Sequence, residues 1–295
     1  VDDLLTDSLQ YSDIRDIKEE DLKGIDTIIH LAAISNDPIS DKFEKVTFDI
    51  NRNATLDLIL LAKSVGVKNF VFASSCSVYG FAENGIVDET SQVNPLTPYA
   101  KSKVLIEDYL LDLADSDFKV TCLRFATACG MSDRLRLDLV LNDFVASALI
   151  NKKIEILSDG TPWRPLINTI DMARAMAWAV EREGHDYEVV NIGSNNWQVK
   201  ELAELVKQQL PETEIVINKN DAPDKRSYKV NFDKFYHLEP NSTPQISIKE
   251  TIETLISHQE SFDGKDFRKG NLIRLNKLIY LQSNNLIDKE LKWIK

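Results

Sequence analysis

Along the first 130 residues, short apolar runs alternate with longer amphipathic stretches. Asp26 to Ala33 reads as a buried strand, and Phe43 to Val65 as a long helix with apolar positions at Ile50, Ala54, Leu58, Leu61 and Ala62. Asn69 to Ala73 is a second strand. Tyr99 to Leu113 is an amphipathic helix carrying Val104, Leu105 and Leu111, and Val120 to Phe125 is a third strand. Strands that are apolar almost throughout and separated by helices predict an α/β fold, with a parallel sheet covered on both faces.

After Gly130 the texture changes. Arg134 to Asn142 leads into a helix through Leu149, Ile154 to Leu157 is a short strand, and Asp159 to Pro162 has turn chemistry. Asp171 fits as the N-cap of a helix running to Glu181. Glu188 to Ile192 is a strand, Gln198 to Leu210 a helix stopped by Pro211, Asn220 to Tyr228 a polar loop, and Asn271 to Trp293 a helical appendix. A doubly wound, Rossmann-like sheet that binds a dinucleotide opens with a strand, a Gly-rich turn and a helix. None of the 10 glycines forms such a turn. The chain starts where that fold would be completing its second strand, so its first βα unit is expected to be missing.

Charge narrows the partners. Across 295 residues, 35 Lys+Arg stand against 47 Asp+Glu, a formal charge of −12. Such a chain repels phosphate backbones, which argues against nucleic acid as a partner and leaves room for a local basic pocket. No apolar run approaches the roughly 18–20 residues that cross a bilayer, so no membrane partner is expected. The acidic start, Val1 to Leu5, carries no basic signal-peptide region. Cys76, Cys122 and Cys129 are odd in number and lack metal-ligand spacing, which predicts reduced thiols, no metal and a cytoplasmic location. His30 reads as a core histidine and Cys76 as a packing residue, while His185, His237 and His258 share no spacing.

The candidate chemistry begins with Tyr99 and Lys103, which share a helix face at i and i+4. A fixed cation favours a phenolate and lowers a phenol pKa that is ordinarily about 10. Taken alone, the pair equally fits a solvated helix face. Its setting adds weight, because Ser74 to Gly80 directly follows a predicted strand and loops at the C-terminal ends of parallel strands bind ligands. A hydroxyl there can hold the reacting oxygen while Tyr99 moves the proton.

These motifs, in order, resemble the extended short-chain dehydrogenase/reductase family, specifically its nucleotide-sugar epimerases, dehydratases and reductases. The resemblance spans roughly Val1 to Asp233. Asp13-Ile14-Arg15-Asp16 resembles the segment that contacts adenine, and His30-Leu31-Ala32-Ala33 the strand that lines the cofactor. Asn51-Arg52-Asn53 resembles the helical motif beside the active site, Ser74 to Gly80 the catalytic loop with Ser75 at its Ser/Thr position, and Tyr99 with Lys103 the catalytic pair. By the same resemblance Asp2 holds the adenosine ribose, which favours NAD over NADP. The implied cofactor set is Asp2, Asp13, Ile14, Leu31, Ala32, Ala33, Asn51, Asn53, Ser74, Tyr99 and Lys103. On the substrate side, Ser75, Thr127, Asn142, Arg164 and Arg226 are implied ligands of a nucleotide-diphosphate sugar, with the arginines on phosphate.

The resemblance implies residues 1–130 as a dinucleotide-binding domain truncated at its start. Residues 131–295 become mainly a substrate-binding region, with 170–195 returning to the first domain and 271–295 as the appendix. Helices 43–65 and 98–115 match those that form a homodimer interface. Family dehydratases carry Asp-Glu where this chain has Cys76 and Ser77, and Thr127 replaces the Asn of an Arg-x-x-Asn motif. The expected function is an NAD-dependent epimerase acting by hydride transfer at C4. The alternatives are a 4-ketosugar reductase and, from another class, a non-catalytic nucleotide-binding or scaffold protein.

Overall fold

The computed structural model describes residues 8–217, 227–262 and 264–294. Strand β1 (Thr27–His30) is followed by α1 (Asp37–Lys42), α2 (Glu44–Phe48), a π-helical stretch (Asp49–Ala54) and α3 (Thr55–Ser64). Then come β2 (Asn69–Ser75), β3 (Phe81–Val87), α4 (Pro98–Leu113), β4 (Lys119–Phe125) and β5 (Thr127–Cys129). The second half carries α5 (Val140–Asn151), β6 (Lys153–Ile156), β7 (Trp163–Asn168), α6 (Thr169–Glu181), β8 (Tyr187–Ile192), β9 (Asn195–Gln198) and α7 (Val199–Gln209). It closes with β10 (Glu214–Ile217), β11 (Ser227–Val230), α8 (Asp233–Leu238), α9 (Ile248–Ser257) and α10 (Arg274–Ser283).

The central sheet is parallel, in the order β1-β2-β4-β8. Alternate residues of each strand serve opposite cores. Phe70, Phe72, Val120 and Cys122 pack with Leu58, Ile59, Ile106 and Leu110 of α3 and α4. Val71, Leu123, Phe125, Val190 and Ile192 pack with Ala175 and Ala179 of α6 and Phe235 of α8. Burial on both faces explains why these strands read as continuous apolar runs. A third core joins α5, α7 and α9 to β6.

Several sequence expectations change. The 43–65 helix is continuous but widens over Asp49–Ala54, where Asn51 turns inward and bonds both backbone groups of Ile34, accepting at 2.7 Å and donating at 3.0 Å. The N-cap of α6 is Asn168, whose side chain accepts from Ile170 N at 2.9 Å. Asp171 lies inside the first turn, where it accepts from the Gln245 and Ile246 amides at 3.1 and 3.0 Å. Tyr228 sits in β11, paired with β3, rather than in a loop. The appendix is helical only over Arg274–Ser283. Asn285 and Leu291 then adopt positive φ, and Ile287 bridges Trp293.

That last segment crosses the molecule. Leu275, Leu278 and Leu291 pack on Ile34, Ile39 and Val46, and Arg15 donates to the Glu290 carbonyl at 2.8 Å. At its other end, Leu137 N donates to Leu272 O and Arg274 donates to Arg134 O. No helix among the described residues is long and apolar enough to cross a membrane.

Candidate active site

The loops leaving β1, β2 and β4 open into a cavity of about 570 Å3. Helix α4 delivers its chemistry. Thr97 caps it by accepting from Ala100 N at 3.2 Å, and Pro98 fixes the first turn, so Tyr99 and Lys103 project from one face toward the end of β2. The Tyr99 phenol and Ser75 line the same cavity wall, and Ser75 favours the phenolate. The Lys103 ammonium donates to the Ala73 carbonyl at 2.6 Å, lies 4.5 Å from the centroid of the Phe72 ring and 5.6 Å from that of Tyr99. Ser75 also accepts from the Ser77 amide at 3.2 Å, which closes the turn that follows β2.

The electrostatics differ from the sequence expectation. Burial pushes the Tyr99 phenol up to about 12, against the lowering effect of Ser75; Asp37 adds to the rise and Arg136 opposes it. Burial also lowers Lys103 to about 8, with Glu107 opposing. The ammonium is spent first on Ala73 O, so the desolvation of the phenol outweighs its influence.

The cavity wall includes Leu31, Ala33, Ser74, Ser75, Tyr99 and Lys103 from the expected cofactor and catalytic sets, and Thr127 and Arg164 from the substrate set. Other expected residues sit elsewhere. Asn51 is buried and holds the loop after β1 from behind. Asn53 is exposed and accepts from Arg52, and Ala32 is exposed outside the wall. Asp13 caps the Ile14–Asp16 turn and pairs with Arg15 at 2.6 Å, while Ile14 packs against the α3–α4 core. Asn142 is 1% exposed, accepting from Gly130 N and donating to Gly130 O and Arg136 O, which leaves it no donor for an anion. Asp2 and Arg226 lie outside the described residues.

Among the wall residues that the sequence reading missed are Asp37, Arg136, Asp138, Ile273 and Leu275. Arg136 forks onto Asp138 at 3.0 Å, and Asn36 donates to the same carboxylate at 2.8 Å, tying the loop after β1 to the substrate half. The Arg136-x-Asp138 spacing was a readable signal, as was Asn36-Asp37-Pro38, an N-cap followed by Pro near the helix start. Among the described residues no cluster of His, Cys, Asp or Glu suits a metal. Cys76 is buried, its thiol donating to Arg124 O at 3.0 Å and its pKa raised by burial.

A family model described as NAD dependent epimerase/dehydratase family matches residues 4–193. The chain belongs to that family. Bifunctional protein GAL10 of Kluyveromyces lactis is 32% identical over 171 residues, 51% of this chain and 25% of that protein. A putative UDP-glucose 4-epimerase of Methanocaldococcus jannaschii is 29% identical over 207 residues, 66% of each. The solved structure of MoeE5 in complex with UDP-glucose and NAD superposes with a TM-score of 0.76 at 27% identity, covering 84% of both chains. The matched stretch thus spans between a quarter and two thirds of these curated relatives. The cofactor of the family is NAD, and the cavity fits its nicotinamide end. Exposed Leu31 and half-buried Ala33 form an apolar lip, and Lys103 is a buried cation at the floor.

His30 gives the site's strand a pH signature. Its Nε2 lies 3.0 Å from the Thr55 hydroxyl, and burial, aided by the Lys103 charge, lowers its pKa to about 3. An unfolded histidine near 6.5 binds a proton that the folded one refuses, so this contribution to stability is full above about pH 6.5 and declines as pH falls toward about 3. Urea unfolding near pH 7 and about pH 5 should show a loss of up to ~1.4 kcal/mol per pH unit that His30→Gln reduces. An identical slope in the variant would rule out His30 as the source.

Proposed function

We propose that this chain is the catalytic part of a nucleotide-sugar 4-epimerase. The observation that carries the reading is the convergence of Tyr99, Lys103 and Ser75 on one cavity wall, with the Lys103 ammonium 5.6 Å from the Tyr99 ring and Ser75 acting on the phenol. Bound NAD supplies a hydride acceptor and donor at the sugar carbon. Ser75 orients the sugar oxygen, and Tyr99 takes its proton and later returns it. Leu31, Ala33, Ser74 and Lys103 hold the nicotinamide end, and Thr127 and Arg164 face the sugar nucleotide, the arginine suited to its phosphates.

The relatives named as UDP-glucose 4-epimerases support the class of substrate. Chemistry at the catalytic loop disfavours a dehydratase. Eliminating water needs an added acid and base, and Cys76 is a buried, protonated thiol committed to a carbonyl.

The test is an assay with UDP-glucose or UDP-galactose and catalytic NAD. Appearance of the other C4 epimer without net NADH is the expected result. Stoichiometric NADH or NADPH consumption with a 4-keto sugar nucleotide would replace the epimerase by a reductase. Binding without any turnover would favour the non-catalytic reading.

A further inference from the structure

Helix α4 offers a third side chain to β2. Tyr99, Lys103 and Glu107 follow one another at four-residue intervals along one face. They meet three consecutive residues: Tyr99 acts with Ser75, Lys103 donates to the Ala73 carbonyl, and Glu107 accepts from the Ser74 hydroxyl. On the neighbouring strand, Arg124 is the register partner of Ser74 and forks onto the Glu107 carboxylate at 2.6 and 3.1 Å. Its remaining nitrogen donates to the Tyr79 hydroxyl at 3.0 Å, and Tyr79 donates to Asn191 at 2.8 Å on β8. The Arg124 carbonyl also accepts from Cys76. Glu107 and Arg124 are 4% and 7% exposed.

A buried ion pair contributes little to stability compared with apolar residues of the same volume, because desolvation offsets the attraction. What this pair does supply is fixed geometry. It clamps the catalytic helix, the end of β2 and the catalytic turn to one another.

We propose that Glu107, held by Arg124, is a positioning residue that fastens the Tyr99–Lys103 face of α4 to the end of β2 through Ser74 and so sets the placement of Ser75 and Lys103. The catalytic part of the proposal rests on the epimerase reading above. The titratable and charged groups around Lys103 are Tyr99 and Glu107 on α4, His30 on β1, and Cys122 and Arg124 on β4. His30 is neutral and Cys122 is a buried thiol with a raised pKa, so Glu107, paired with Arg124 at 2.6 Å, is the group that favours the ammonium. Removing its charge lowers the pH at which Lys103 gives up its proton.

The experiment uses Glu107→Gln, and the Glu107→Gln/Arg124→Met double variant in case the single one leaves Arg124 uncompensated and does not fold. Side-chain nitrogen NMR of 15N-lysine-labelled protein, with Lys103→Arg to assign the signal, follows the titration of Lys103 without any substrate. The midpoint is expected to fall below its wild-type value. In the epimerase assay, kcat is expected to drop about ten-fold with KM near wild type, and the alkaline limb of the pH profile to move to lower pH. A folded variant with an unmoved Lys103 midpoint and an unmoved pH profile overturns the proposal. So does failure of both variants to fold, which would make the pair a stability element. Wild-type protein that turns over no nucleotide sugar while the variant's midpoint still shifts would remove the epimerase reading and leave the electrostatic role standing.

Discussion

Replacing Tyr99 by Phe should abolish most turnover, lowering kcat by about 10²–10⁴-fold while UDP-glucose binding changes by less than about three-fold. The reasoning is chemical. The phenol, pushed up to about 12, holds its proton at neutral pH. To accept the proton of the sugar hydroxyl it must first release its own to solvent and become an anion, and Ser75 and Lys103 are the groups placed to stabilise that anion. Phenylalanine keeps the ring, its packing and the shape of the cavity, and removes only the hydroxyl. Isothermal titration with UDP-glucose beside a coupled epimerase assay separates the two quantities. Turnover retained within about ten-fold would assign the proton to another group.

The second large effect is expected at Gly80. It ends the catalytic turn with φ +63° and ψ −94°, and a Cβ there would lie 1.9 Å from the Asn94 carbonyl oxygen. That oxygen belongs to a backbone whose amide bonds Val78 O at 2.8 Å, so it has nowhere to retreat. Gly80→Ala should therefore cost about 2–5 kcal/mol in urea unfolding, from left-handed backbone plus overpacking. It should also reduce kcat by about ten-fold or more, because the turn carries Ser75 and Ser77. Gly66→Ala is the comparator, with φ +86° and nothing within 4 Å of the added carbon. Equal losses at the two sites would show that the Asn94 contact is not what demands glycine.

Much of this architecture was legible in the amino-acid order. Strands buried on both faces are apolar throughout, so β1, β2, β4 and β8 stood out, and the i, i+4 relation of Tyr99 and Lys103 survives folding unchanged. Strands β3, β9 and β10 escaped notice because they are short or half-polar, and their pairing comes from distant segments rather than from their own pattern. The polar side of the cavity was hidden for the same reason. Asp37, Arg136 and Asp138 lie about a hundred residues apart in part, and only the closed fold brings them together. Asn142 shows the opposite failure. An asparagine at a helix start resembles an anion ligand, but the left-handed turn at Gly130 leaves backbone groups that it must satisfy. Neither pattern nor spacing reveals that competing demand.

The carboxyl-terminal crossing has a practical and an evolutionary meaning. Ile273 and Leu275 are part of the cavity wall, yet they belong to a stretch that shares no strand with the central sheet and no contact with the Tyr99–Lys103–Glu107 stripe among the hydrogen bonds described. Drift in that stretch can reshape the space available to a ligand while Ser75, Tyr99 and Lys103 stay fixed, and substitutions at Ile273 or Leu275 are the practical way to alter the fit without touching them.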